Sequence, residues 1–258
     1  MSNSLWAGGR YESVAERIET IARQTVEAAD RRRPLDGAAL VDLACGTGSA
    51  ALAAAARGAL VTGVDVTPEL IDVGRQKATA TGQAVQWVTA DAADTGLPEH
   101  SFDVAVSNMG IIFVDPDRQA TELGRLLKPA GVLAFSSWRR DVSNPFFDPI
   151  VAVLGAPPSR GFSPDQWGDP AIVERRLAAD FAEVDITEGT LTWAFASVDA
   201  ALHFLVEESP MHVDVFGRVD DDQHARLTSA FRDALADHAD GNGVHVDAPY
   251  VVVTANRR

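Results

Sequence analysis

The feature that most constrains this 258-residue chain is a repeated alternation of short apolar runs with helical segments between residues 38 and 138. Each apolar run is continuous, which is typical of a strand buried on both faces of a sheet. Strands of this kind that are joined by helices form parallel sheets. The strands are predicted at Ala38–Leu43, Leu60–Asp65, Ala84–Ala90, Phe102–Ser107 and Val132–Trp138, and the helices between them at Ser49–Arg57, Pro68–Thr81 and Pro116–Leu127.

The chain on either side of this region follows other patterns. Val14–Ala29 carries apolar residues at helical spacing and predicts one N-terminal helix. Residues 139–180 are rich in proline, glycine and aromatic residues, which predicts an insertion. Later elements are predicted as strands at Val184–Phe195 and Tyr250–Thr254 and as helices at Val198–Glu208 and Asp220–His238. We therefore predict a Rossmann-like α/β fold: a doubly wound, mostly parallel seven-stranded sheet with helices on both faces and a small helical cap.

Composition and charge narrow the function classes. The 37 acidic side chains outnumber the 22 basic ones, so the net charge of −15 should repel polyphosphates, and we expect no nucleic-acid partner. The single cysteine, Cys45, cannot form an internal disulfide, and the first residues lack the basic and apolar regions of a secretory signal. No clean 20-residue apolar span is present. We expect a cytoplasmic monomer or homodimer with no membrane partner.

The strongest local motif is the turn between the first strand and its helix, Val41-Asp42-Leu43-Ala44-Cys45-Gly46-Thr47-Gly48. Two glycines at this spacing allow a tight turn whose backbone comes close to a ligand. The motif is ambiguous by itself, because Gly46-x-Gly48-x-x-Ala51 also fits the dinucleotide fingerprint. Asp65 lies at about the right distance to hold ribose hydroxyls in that alternative.

Further segments follow this turn in a fixed order: Gly63-Val64-Asp65 with Thr67-Pro68-Glu69, Ala90-Asp91-Ala92, Phe102-Asp103-Val104 and Leu127-Lys128-Pro129-Ala130-Gly131-Val132. Together they make residues 38–138 resemble the class I S-adenosylmethionine-dependent methyltransferases, most closely the small-molecule branch similar to the enzymes of ubiquinone and menaquinone biosynthesis. The chain departs from that family at Ala44, where a glycine is usual. Lys128-Pro129-x-Gly131 is interpreted as a structural turn into the fifth strand.

The resemblance implies S-adenosylmethionine as the cofactor and methyl transfer to an O, N or C atom of a small-molecule acceptor. Together with the patterns along the chain, this predicts an N-terminal helical segment over the cofactor site (1–34), a cofactor-binding core (35–138), a cap insertion (139–180) and C-terminal strands (181–258) that complete the sheet and carry a second helical cap insertion at about 197–245. The expected cofactor-binding residues are Tyr11, Asp42, Ala44, Cys45, Gly46, Gly48, Asp65, Val66, Asp91, Ala92, Asn108 and Met109.

Each polar part of the cofactor requires its own partner. Asp42 can approach the ammonium directly or through water, and Asp65 can accept hydrogen bonds from both ribose hydroxyls; the alternative for Asp65 is a helix cap. Asp91 can accept the adenine amine while the Ala92 N–H donates to the ring; the alternative is a turn carboxylate. Asn108 and Met109 are expected near the reacting methyl, or else as a loop held by the Asn108 amide.

The acceptor pocket is expected from aromatic residues outside the core, although such residues also pack in cores. The candidates are Trp6, Phe113, Trp138, Arg139, Phe146, Phe147 and Met211. His203 and His212 are candidate general bases, with a packed histidine as the alternative. No metal-ligand spacing occurs, and Cys45 is interpreted as a packing residue.

Two other functions remain open from the residues. One is an NAD(P)-dependent oxidoreductase, although the two tyrosines and two lysines form no Tyr-x-x-x-Lys pair. The other is a catalytically silent cofactor-binding module, since a fold does not fix an activity.

Overall fold

The computed structural model describes residues 5–140, 143–156 and 161–258. These residues divide into two compact units. The sheet unit consists of residues 18–139, 162–189 and 250–258, and the helical unit consists of the described parts of residues 1–17, 140–161 and 190–249. The expected N-terminal segment 1–34 is thus divided between the two units after Arg17, and the expected insertion 139–180 is divided after Gly161.

The sheet confirms the predicted Rossmann-like class. Its main path has seven strands in the order β3-β2-β1-β4-β5-β8-β6, and the two-residue β7 pairs with β8 off that path. Strands β1 to β5 pair in parallel, and β8 is antiparallel to β5. The strands are β1 Ala39–Leu43, β2 Leu60–Asp65, β3 Val85–Thr89, β4 Phe102–Asn108, β5 Leu127–Trp138, β6 Phe181–Phe195, β7 Ala239–Asp240 and β8 Gly243–Arg257.

Small residues allow helices to lie close against the centre of the sheet. The helices of the sheet unit are α2 Glu19–Arg32, α3 Ser49–Ala55, α4 Pro68–Thr81, α5 Pro116–Leu126 and α7 Pro170–Leu177, with 3-10 turns at Ile111–Phe113 and Pro164–Gly168. The alanines of α2 and α3 form one buried cluster with valines of β4 and β5. Burial of this apolar surface holds the carboxyl ends of the strands at fixed spacing.

The helical unit contains α1 Tyr11–Arg17, α6 Asp148–Leu154, α8 Val198–His203, α9 Pro210–Phe216 and α10 Asp221–Ala236. A π-helical turn, Phe204–Glu208, follows α8 directly. The chain enters α10 through Asp220, whose carboxylate accepts a hydrogen bond from the Gln223 N–H, as expected for a helix cap. The unit also contains the second part of β6, β7 and the first part of β8.

Several predicted boundaries are wrong. The single N-terminal helix is broken at Ile18, and the resulting α1 and α2 belong to different units. The predicted helix Val198–Glu208 changes to π geometry at Phe204, α9 was not predicted, and β8 is much longer than Tyr250–Thr254. Residues 128–131 are part of β5 and form an irregularity against β4, in which Ala130 rather than Gly131 has a positive φ of 60°. Among the described residues, no helix is long and apolar enough to cross a membrane.

Candidate functional site

The carboxyl end of β1 continues into a turn in which three residues have left-handed backbone conformation. Ala44, Gly46 and Gly48 have φ values of 51°, 55° and 85°. Two backbone hydrogen bonds fix the turn: Cys45 N–H donates to the Val64 carbonyl at 2.9 Å, and Gly48 N–H donates to the Cys45 carbonyl at 2.9 Å. Glycine takes this conformation at little cost, whereas Ala44 takes it at a cost of about 1–2 kcal/mol.

Asp65, at the end of β2, is tied to this turn. Its Oδ2 accepts a hydrogen bond from Gly46 N–H at 2.8 Å, and its Oδ1 accepts one from Thr67 N–H at 2.9 Å, just before α4 begins. Both oxygens keep a second lone pair that can accept a ligand hydroxyl. Burial raises the pKa of Asp65, and the hydrogen bonds from Thr67 and Gly46 partly oppose that rise. Asp65 therefore does stabilise the start of α4, which was the alternative role for it. Its oxygens can still accept further hydrogen bonds from a ligand.

Asp42, one strand away, is almost completely buried. Its Oδ2 accepts a hydrogen bond from Ala51 N–H at 2.8 Å, which ties β1 to α3, while its Oδ1 has no hydrogen-bond partner among the described residues. Burial raises the pKa of Asp42 to about 8; the Ala51 hydrogen bond opposes this, and the nearby Asp65 charge adds to it. An unpartnered buried carboxyl oxygen is costly unless a ligand or water supplies a donor.

Trp87 of β3 is a site residue that the sequence reasoning missed. A Cβ atom built on Gly48, Gly63 or Gly74 would lie 2.4–2.8 Å from an atom of its ring, so three glycines on three elements make room for one indole. The ring therefore lies against the glycine turn. Gly48 precedes α3, Gly63 lies within β2 and Gly74 lies within α4, so their shared partner is visible only in three dimensions.

The end of β4 lies beside the same turn. The Ser107 hydroxyl donates to the Leu43 carbonyl at 2.7 Å, and the Ser136 hydroxyl donates to Asn108 Oδ1 at 2.8 Å and accepts from Met109 N–H at 3.1 Å. Met109 has a positive φ of 56°. A Cβ on Gly110 would lie 2.3 Å from the Ala44 carbonyl oxygen, so the two loops touch through their backbones. Strained backbone on two adjacent strand ends is typical of functional sites.

Asp91 and Ala92 follow β3. Asp91 Oδ1 accepts a hydrogen bond from Ala93 N–H at 2.9 Å, and its Oδ2 lies 3.5 Å from Arg118 Nη2. Its side chain is about half exposed, at 45%, which leaves it accessible to a ligand. Ala92 is buried, and its carbonyl accepts a hydrogen bond from Gln119 Nε2. This loop is therefore fixed by α5 as well as by β3.

Other predicted residues of the sheet unit have structural partners. Cys45 is half-buried and burial raises the pKa of its thiol, which suits packing rather than nucleophilic attack. Val66 is half-buried just after β2. Trp138 ends β5, Arg139 forms an ion pair with Glu188, and Phe113 lies in a 3-10 turn. The Arg139 guanidinium is thus already engaged by a carboxylate.

The helical unit contains the remaining predicted residues. Tyr11 and Trp6 lie edge to face at 6.4 Å between ring centroids, Phe147 lies 5.9 Å from the Arg140 guanidinium carbon, and Met211 is 36% exposed. His203 is exposed, with its Nε2 3.8 Å from Glu208 Oε1. Phe146 lies against Trp193 and Phe195.

His212 is unsuited to the general-base role considered for it. Its Nδ1 lies 2.7 Å from the Ser209 hydroxyl and its Nε2 lies 2.7 Å from the Phe146 carbonyl. Burial lowers the pKa of His212 to about 4, so the ring is neutral near pH 7. His212 is therefore a packed histidine, which was the alternative to the general-base role. Among the described ranges, no group of three or more His, Cys, Asp or Glu side chains could hold a metal ion.

The sequence that carries this site matches a known protein family. Residues 41–135, which contain most of β1, all of β2 to β4 and most of β5, match the model of the methyltransferase domain. The resemblance to methyltransferases is therefore confirmed for the segment that holds the glycine turn, Asp42 and Asp65.

Some curated relatives match a longer part of this chain than residues 41–135. An uncharacterized protein of Mycobacterium tuberculosis is 32% identical over 153 residues, which are 58% of this chain and 54% of the relative. A demethylmenaquinone methyltransferase of Thermus thermophilus is 35% identical over 135 residues, 48% of this chain and 61% of the relative. The chain thus spans about half the length of the first of these curated relatives. The YcgJ protein of Bacillus subtilis has a similar fold, with a TM-score of 0.62, 15% identity and coverage of 91% of this chain and 98% of that one.

Proposed function

We propose that this protein is an S-adenosylmethionine-dependent methyltransferase that transfers a methyl group to an O, N or C atom of a small-molecule acceptor. The observation that carries the proposal is the linked set of Asp42, the glycine turn and Asp65, which occupies adjacent strand ends inside the family-matched segment. Open α/β sheets bind ligands at the carboxyl ends of their strands. The demethylmenaquinone methyltransferase relative supports a small organic acceptor.

The residues present fit this cofactor. The unpartnered Oδ1 of Asp42 is an acceptor that lacks a donor, and the cofactor's ammonium is a donor of opposite charge. Asp65 would accept the ribose hydroxyls, and Asp91 with Ala92 would hold the adenine. The turn at Gly46 and Gly48 would leave room for the methionyl chain, and Asn108 with Met109 would lie near the sulfonium.

The protein would contribute to the reaction mainly by positioning the cofactor and the acceptor. S-adenosylmethionine supplies an electrophilic methyl group on a sulfonium, so the chain mainly has to hold the acceptor in line and exclude water. The Ser136 hydroxyl fixes Asn108 and the Met109 backbone, which keeps the β4 loop rigid before a ligand arrives. His212 would not take a proton near pH 7, which leaves His203 as the remaining candidate general base.

The oxidoreductase alternative is less well supported. The glycine turn and Asp65 suit either cofactor, but the Asp42 oxygen without a donor suits a ligand ammonium, which the nicotinamide dinucleotides lack. A silent cofactor-binding module would share the cofactor site and differ only in turnover.

A transfer assay tests the proposal. The purified protein is incubated with methyl-labelled S-adenosylmethionine and a panel of phenols, quinols, amines and aromatic acids, and products are detected by mass. We expect a labelled product and S-adenosylhomocysteine in equal amounts. Cofactor binding without any product over a broad panel would favour the silent module, and no binding at all would contradict the proposal.

The variant Asp65→Ala, compared with a matched control, tests whether Asp65 binds the cofactor. We expect Asp65→Ala to weaken cofactor binding by about 1.5–3 kcal/mol, the range for hydrogen bonds to a charged group. Asp169→Ala removes a carboxylate that also caps a helix, through its hydrogen bond from Ile172 N–H, and should leave cofactor affinity unchanged. Equal effects of the two variants would restrict Asp65 to its capping role.

A further inference from the structure

Arg17, the last residue of α1, lies over a cluster of aromatic rings in the helical unit. Its guanidinium carbon is 4.6 Å from the ring centre of Phe195, 5.0 Å from that of Phe204 and 6.0 Å from that of Trp193. All three rings are buried. Its Nη1 also donates to the Ala194 carbonyl at 3.2 Å. Cation–π contacts and this hydrogen bond together fix the guanidinium in place.

The guanidinium has no carboxylate partner within ion-pair distance among the described residues. Three other arginines of the same unit have one: Arg10 contacts Glu208, Arg218 contacts Asp214 and Arg232 contacts Asp199. A guanidinium has five N–H donors, and the Ala194 carbonyl occupies one of them. Arg17 is therefore a positioned cation with donors to spare.

The surroundings of Arg17 select for a particular kind of ligand. Phe146 is half-buried and extends the ring cluster, with centroids 5.7 Å from Trp193 and 6.4 Å from Phe195. Apolar rings beside a charge lower the local dielectric and strengthen a charge-assisted hydrogen bond. A planar guanidinium also matches the two oxygens of a carboxylate.

We propose that Arg17 binds the carboxylate of an aromatic acid at a site within the helical unit. The proposal goes beyond the proposed function, because the contacts that carry it all lie within this unit. In this arrangement the aromatic body of the acid contacts the half-buried Phe146, and the carboxylate accepts hydrogen bonds from the Arg17 N–H groups that the Ala194 carbonyl leaves unused.

Calorimetry with two matched probes tests the proposal. 2-Naphthoate and 2-acetylnaphthalene have the same ring system, but only the first is an anion at pH 7. We titrate each into the full chain saturated with S-adenosylhomocysteine, and expect naphthoate to bind at least tenfold more tightly. Arg17→Gln should abolish that preference, Arg17→Lys should restore part of it, and Arg218→Gln, which also removes a guanidinium from the helical unit, should keep it in full.

The outcomes separate this inference from the proposed function. Equal affinity for the two probes, an unchanged preference in Arg17→Gln, or no naphthoate binding by a protein that binds S-adenosylhomocysteine would overturn the role of Arg17 and leave the methyltransferase proposal standing. Failure to bind S-adenosylhomocysteine would instead contradict the proposed function. If Arg17→Gln does not fold, the NMR resonance of the Arg17 Nε–H group in the wild-type protein replaces this test. Naphthoate must shift that resonance if its carboxylate binds Arg17, and an unshifted resonance would overturn the role of Arg17.

Discussion

Asp42 and Asp65 are both buried carboxyls at strand ends, yet their hydrogen bonding differs. Asp65 has a backbone donor on each oxygen, whereas Asp42 has one donor for two oxygens. Its pKa of about 8 makes the Asp42 carboxyl neutral at pH 7, whereas its ordinary value in an unfolded chain is 3.8. The folded-state pKa is raised, so the stability that this group contributes is complete below about pH 4 and is lost as the pH rises through 8.

Cofactor binding should therefore release a proton. A ligand ammonium favours the charged form of Asp42, so we expect S-adenosylhomocysteine binding at pH 7 to release up to about one proton and its affinity to rise between pH 5.5 and 7.5. Calorimetry in two buffers of different ionisation enthalpy measures the release. Asp42→Asn should abolish it. Binding that releases no proton in the wild-type protein would show that Asp42 does not face the ammonium.

Ala44 offers a second prediction at the scale of one residue. Its positive φ costs about 1–2 kcal/mol, while glycine costs about 0.5–1 kcal/mol in unfolded-chain entropy, so Ala44→Gly should raise the free energy of unfolding by up to about 1 kcal/mol. Ala130→Gly, at the other positive-φ alanine, should give a similar gain without any change in cofactor affinity. Chemical denaturation measures both, and a loss of stability in Ala44→Gly would show that its methyl group packs favourably.

The loop that carries Asp91 and Ala92 depends on a helix for its position. Glu122 of α5 accepts hydrogen bonds from the N–H and hydroxyl of Thr95, at 3.0 and 2.6 Å, and pairs with Arg125. These contacts outweigh the effect of burial and lower the pKa of Glu122 to about 2. A shift of this size corresponds to stabilisation on the order of 3 kcal/mol at neutral pH.

We expect Glu122→Gln to remove most of that stabilisation at pH 7 and to have little effect near pH 2. The pKa is lowered in the folded state, so the contribution is present above about pH 4.5 and is lost as the pH falls toward 2. Asp72→Asn, which breaks an exposed pair with Arg75 of the same three-residue spacing, is the control and should cost less than about 1 kcal/mol. Unfolding curves across this pH range measure both, and equal costs would contradict the special role of Glu122.

The sequence predicts elements best where one physical signal dominates. Strands β1 to β5 are continuous apolar runs, and their positions are correct within a few residues. The break at Ile18 leaves no such signal, because apolar helical spacing continues through it. The π-helical turn and α9 depend on packing inside the helical unit. At the site, residue types predicted which side chains lie at strand ends, whereas the Asp42–Ala51 hydrogen bond and the position of Trp87 needed coordinates.

At the scale of the whole molecule, the N-terminal residues and the later helices should respond to ligand together, because they belong to one compact unit. Arg10 N–H donates to the Glu208 carbonyl at 2.8 Å, and a Cβ on Gly9 would lie 2.5 Å from that same oxygen. We expect S-adenosylhomocysteine to slow hydrogen exchange around Tyr11 and within residues 197–245 in parallel. Gly9→Ala should uncouple the two segments, and protection confined to residues 42–48, 65 and 91 would contradict the coupling.

Thermal unfolding with competing cofactors tests whether the protein binds S-adenosylmethionine. A ligand at about one hundred times its dissociation constant stabilises the native state by about 2.7 kcal/mol, which in a chain of this size raises Tm by roughly 5–10 °C. We expect this shift with S-adenosylmethionine and S-adenosylhomocysteine, its loss in Asp65→Ala, and no shift with NAD or NADP. Stabilisation by a nicotinamide cofactor and none by S-adenosylhomocysteine would contradict this expectation.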